Sequence, residues 1–130
     1  MRITLFTSNL TRHNYLINLL GELSNNLFVI QEHRAISNEN EDILYSKSKI
    51  MKKYFENVKN AEETYFNNTN LKKENIKFFS LKFGDLNNFS LDDLKTFLES
   101  DIYIVFGSSF IKNDLLDYLM KKNTINIHMG

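Results

Sequence analysis

Five short runs rich in β-branched and aromatic residues alternate with stretches whose apolar side chains fall at helical spacing. No other feature constrains the chain as much. "RITLFT" (2–7), "LFVIQE" (27–32), "IKFFSLKF" (76–83), "DIYIVFG" (101–107) and "TINIHM" (124–129) read as strands. Between the first two, Tyr15, Leu16, Leu19, Leu20 and Leu23 form one helical stripe, so the opening residues read as a βαβ unit. Ser8 or Asn9 is placed to cap that helix. "SLDDLKTFLES" (90–100) reads as a short amphipathic helix with Ser90 as cap and Asp93 three residues on. Ser108 or Ser109 would cap "FIKNDLLDYLMKK", whose stripe is Ile111, Leu115, Leu116 and Leu119. The pattern predicts a Rossmann-like α/β fold: a mainly parallel open sheet with flanking helices. A helical insertion over about residues 38–68 carries Ile43, Leu44, Ile50, Met51, Tyr54, Phe55 and Val58 among charges.

Composition narrows the function classes. The 130 residues fit one domain, with 16 basic residues balancing 16 acidic ones, so no global field favours nucleic acid or an anionic membrane. Cysteine is absent, which excludes disulfides and thiolate metal sites, and His13, His33 and His128 lack metal-ligand spacing. No apolar run suits a signal peptide or a membrane span, so the cytoplasm is the default location. There is neither a glycine-rich dinucleotide fingerprint nor a phosphate-loop lysine.

In parallel sheets ligands bind beyond the carboxyl ends of the strands. "TSNLTRH", "FGSSFI" and "NIHMG" fall there. Alternation puts Asn126 and His128 on one face of the last strand, about 7 Å apart. A carboxamide and an imidazole so placed can flank one carbonyl, the first donating to a developing oxyanion and the second exchanging protons with a nucleophile. Two satisfied structural polar groups at a strand end are the simpler alternative. Likewise Ser8, Asn9 and Arg12 could meet an anion at a helix N-terminus, or Ser8 and Asn9 could cap the helix while Arg12 and His13 stay solvated. Gly107 could be only a strand-to-helix turn, and Phe110 and Ile111 only core packing.

"FGSSFIKNDLLDYLMKKNTINIHMG" resembles the folate-dependent formyltransferases, the glycinamide ribonucleotide, methionyl-tRNA and nucleotide-sugar enzymes. Their shared pattern is an apolar strand, a glycine-containing loop, an amphipathic helix and an Asn-x-His strand. "LFTSNLTRHNYLINLL" is similar to the family's first βα unit; residues 37–75 match it poorly. The resemblance implies Asn126 and His128 as catalytic residues. Gly107, Ser108, Ser109, Phe110 and Ile111 would hold 10-formyltetrahydrofolate as formyl donor, and Ser8, Asn9 and Arg12 the acceptor. That acceptor would be a primary amine, of an amino sugar nucleotide, because "NIHMG" is closest to that branch. The family's histidine-tuning aspartate comes well after the Asn-x-His strand. Residues 1–130 are therefore expected to be the N-terminal part of a catalytic domain, with little activity alone. The alternative is a non-catalytic Rossmann-like module that binds folate or nucleotide. Membrane partners are not expected, nor nucleic acid (tRNA aside), and an open edge strand would favour self-association.

Overall fold

The computed structural model describes residues 1–35, 48–66 and 71–128. Ile43 and Leu44 of the expected insertion, and Met129 and Gly130 of the closing motif, lie outside them.

Five parallel strands form one sheet in the order β3-β2-β1-β4-β5: β1 Arg2–Ser8, β2 Asn26–His33, β3 Ile76–Lys82, β4 Ile102–Phe106 and β5 Thr124–Ile127. β1 is central and buried on both faces. Odd positions Ile3 and Leu5 join Leu27, Val29 and Ile104 on one face, where α1 (Thr11–Leu23) adds Ile17 and Leu20. Even positions place Phe6 with Ile30 and Tyr103 on the other, beneath Leu115 and Leu119 of α3 (Asn113–Met120). This is the Rossmann-like arrangement expected, and strand order reverses between β1 and β4.

The insertion supplies α2, Lys49–Phe66, which lies against α1 through Tyr15 and Phe66, rings 5.0 Å apart, and an Arg12–Glu62 ion pair. Among the described residues no helix is long and apolar enough to cross a membrane.

Several local expectations are corrected. α1 buries His13, Ile17, Leu20 and Gly21, whereas Tyr15, Leu19 and Leu23 of the expected stripe are exposed. The phase of the helix is set where Gly21 meets Ile76: a Cβ there would lie 2.7 Å from Ile76 Cδ1. Neither Ser8 nor Asn9 caps α1; Leu10 stands at its N-cap without a side-chain bond. Ser108 and Ser109 do not cap α3, whose N-cap is Lys112.

Residues 90–100 are turns ending in a 3-10 segment, Lys95–Phe97, not a regular helix. The Ser90–Asp93 box does form, with Ser90 N donating to Asp93 Oδ2 at 2.8 Å and Asp93 N to Ser90 Oγ at 3.2 Å. Tertiary bonds claim the far end instead. Thr4 Oγ1 donates to the Phe97 carbonyl, and Tyr103 and Tyr118 hydroxyls donate to that of Leu98.

β5 is an edge strand, not core, and leaves Ile125 53 % exposed.

Candidate functional site

The carboxyl ends of the strands open onto a cavity of about 900 Å³ at the β1/β4 reversal. That is the position where open parallel sheets take ligands, and the size suits a small molecule.

α1 brings His13 to the cavity, and the end of β1 holds it there. Ser8 is buried, and its Oγ lies 2.6 Å from His13 Nδ1. The His13 ring packs edge-on against Phe106, centroids 4.6 Å apart, and is only 2 % exposed. His13 is thus not the solvated residue expected from sequence. Burial, reinforced by the Arg12 and Arg34 charges, lowers its pKa from 6.5 to about 4, so the imidazole is neutral at physiological pH. Its Nε2 meets the loop after β4. Gly107 has φ +74°, and a Cβ there would lie 2.6 Å from His13 Cε1 and closer still to Nε2. Only glycine lets that loop and that imidazole approach so closely.

Two residues that sequence reasoning passed over hold the same loop. Glu32, at the end of β2, is fully buried and accepts from Ser109 N (2.5 Å), Ser109 Oγ (2.8 Å) and Gly84 N (2.9 Å). Asn87 Nδ2 donates to the Phe110 carbonyl at 2.7 Å, and its Oδ1 accepts from Lys112 N at 2.8 Å. So braced, the loop presents Gly107, Ser108, Ser109, Phe110 and Ile111 to the cavity, with Phe110 88 % exposed and not in the core. A glutamate in the strand just past the apolar run 27–30 was the available signal for the first brace; Asn87 gave none.

β5 supplies the wall. Thr124 and Asn126 pair with Tyr103 and Val105 of β4, so they lie on the α3 face of the sheet. Thr124 Oγ1 donates to the Leu119 carbonyl at 2.6 Å, fixing the strand to α3. Asn126 and His128 are exposed and both line the cavity, with Val105, Leu116 and Met120 as apolar neighbours. Among the described residues no carboxylate bonds to His128, and no cluster of three or more His, Asp or Glu could hold a metal.

Of the expected acceptor residues, Arg12 lines the cavity, while Ser8 and Asn9 do not. Asn9 is spent on the Arg34 backbone, its Oδ1 accepting from Arg34 N at 3.1 Å and its Nδ2 donating to Arg34 O at 3.2 Å. This tether brings Arg34 to the cavity, a residue with no motif to mark it.

The arrangement combines a carboxamide, an exposed imidazole, a buried neutral imidazole and a braced apolar loop around one opening. Comparison with known proteins finds no family model, no curated protein and no solved structure that matches the chain.

Proposed function

We propose that the chain carries the donor site and the Asn-x-His pair of a formyltransferase. The reaction would move a formyl group from 10-formyltetrahydrofolate to a primary amine, of an amino sugar nucleotide. The observation that supports this reading is the convergence of Asn126, His128 and Gly107–Ile111 on one cavity at the sheet's switch point. Val105, Phe106, Ile111 and Leu116 offer an apolar wall for a pterin ring, and the backbone of the 107–111 loop offers donors and acceptors.

The donor supplies the formyl carbon. Asn126 donates an amide N–H to the carbonyl oxygen as the amine nitrogen attacks and that oxygen gains charge. His128 takes the proton that the amine loses. It returns the proton to the departing nitrogen as the carbon–nitrogen bond of the donor breaks, leaving a formamide and tetrahydrofolate. Because no carboxylate among the described residues contacts His128 to orient it, turnover should be slow. That same feature favours a second reading, a module that binds folate without transferring its formyl group.

Calorimetry with 10-formyltetrahydrofolate, followed by single-turnover transfer by the protein, tests both. Saturable binding is expected, with Asn126→Ala and His128→Ala each lowering transfer by about a hundredfold or more. Both residues are exposed, so the unfolding free energy should stay within about 0.5 kcal/mol of the parent. Near-normal transfer in both variants would overturn the catalytic assignment. Binding without transfer to any primary amine would leave the second reading, and no binding would remove both.

A further inference from the structure

The charged lining of the cavity is one-sided. Arg12, Arg34 and Lys122 face it, and among the described residues no aspartate or glutamate does. Overall the chain is balanced at 16 basic and 16 acidic residues, so composition does not account for the bias.

Two of these cations hold hydrogen-bond donors that the described residues leave unused. Arg34 lies with its guanidinium carbon 3.6 Å over the centre of the Phe83 ring. Such a contact occupies the face of the guanidinium and leaves its N–H edge open. The bonds Arg34 makes to Asn9 come from its backbone alone. Arg12 engages Glu62 through Nη1, while its Nε is buried with no hydrogen-bond partner. An N–H buried without an acceptor is unfavourable, so the Arg12 guanidinium gains by turning toward an anion held in the cavity that it lines. Arg12 adjoins His13 on α1, and the Asn9 tether holds the Arg34 backbone beside the start of that helix, so both arginines belong to the His13 end of the cavity.

We propose that Arg12 and Arg34 clamp one anionic group of the ligand, a phosphate or a carboxylate, beside the buried imidazole of His13. The clamp deepens the reading of this cavity as the transfer site, and shares its location, but needs no formyl chemistry to operate. Glu62 of α2 orients Arg12, and stacking on Phe83 pre-orders Arg34, so little side-chain freedom is lost on binding. The groups facing His13 are the Ser8 hydroxyl, the Phe106 ring, Gly107 and the two arginines. An anion in the clamp offsets the repulsion of both cations and makes His13 easier to protonate. In the proposed reaction each partner carries such a group: phosphates on a nucleotide-linked acceptor, carboxylates on the glutamyl tail of the donor.

The test is an NMR titration of the chain with pyrophosphate and, separately, with a γ-glutamyl peptide, following the His13 ring. Saturable, salt-sensitive binding of one probe is expected, with the His13 pKa raised in the saturated state. Arg34→Gln should weaken binding about tenfold or more, and Arg34→Lys less, because charge is kept and the planar fork is lost. Unliganded Arg34→Gln should itself show a raised His13 pKa, since one repelling cation is gone. The exposed Lys95→Gln variant serves as control and should bind as the parent does. Tighter pyrophosphate binding assigns the clamp to the acceptor; tighter peptide binding assigns it to the donor tail. No saturable binding of either probe overturns the clamp. So does undiminished affinity in Arg34→Gln with native spectra elsewhere. Either failure alongside intact folate binding removes the clamp alone.

Discussion

Mild acidification should destabilise this protein through His13. The imidazole is buried, and its pKa in the fold is about 4, against 6.5 when free. Between those values the unfolded chain binds a proton that the native state refuses. The stabilisation is therefore fully present above pH 6.5 and is lost as the pH falls toward about 4. The slope should approach about 1.4 kcal/mol per pH unit, and the shift amounts to about 3 kcal/mol in total. Against a net stability of about 5–15 kcal/mol for an ordinary domain, that is a large share. Urea unfolding at a series of pH values on the parent and on His13→Gln isolates the effect. Glu22 and Asp93, whose pKa values are also lowered, by Lys73 and by Ser90, titrate in both proteins and cancel in the difference. The two curves should converge as the pH drops through the window. Parallel pH dependences, or a His13 ring that titrates near its free value, would refute the reasoning.

Other perturbations follow from the braces of the 107–111 loop and the core. Gly107→Ala sets a Cβ against the His13 ring at a positive φ, and thermal unfolding should report a loss of about 2–4 kcal/mol. Glu32→Gln keeps the shape but turns an acceptor into a donor opposite Ser109 or Gly84. Urea unfolding should show a cost of about 2–3 kcal/mol, and amide exchange should quicken at Ser109. Tyr103→Phe removes a hydroxyl that donates to the Leu98 carbonyl and contacts Tyr118, at a cost of about 1 kcal/mol by the same unfolding assay.

The central strands β1 and β2 were legible because burial on both faces leaves near-continuous β-branched and aromatic runs. Asn126 and His128 both line the cavity, but β5 ends at Ile127, which lines it too, so the two-residue period of a strand does not by itself account for their joint placement. What local patterns could not carry were features decided by distant partners. α1 turns His13 inward and leaves Tyr15, Leu19 and Leu23 of the expected stripe exposed, because Phe106 and Gly107 receive the ring from more than ninety residues along the chain. Residues 90–100 have helical spacing but bend into turns, since Thr4, Tyr103 and Tyr118 claim the carbonyls of Phe97 and Leu98. Serines 8 and 109 resemble caps by position, yet each serves a buried partner, His13 and Glu32. Arg34 reaches the cavity through a backbone tether to Asn9 that no spacing rule encodes.

Intermolecular nuclear Overhauser contacts from the formyl proton of bound 10-formyltetrahydrofolate would locate that proton against the side chains of the cavity. Contacts to the Asn126 side-chain amide and to the His128 ring are expected, with pterin contacts to the 107–111 loop. A donor that binds with its formyl proton near neither side chain would contradict the catalytic assignment.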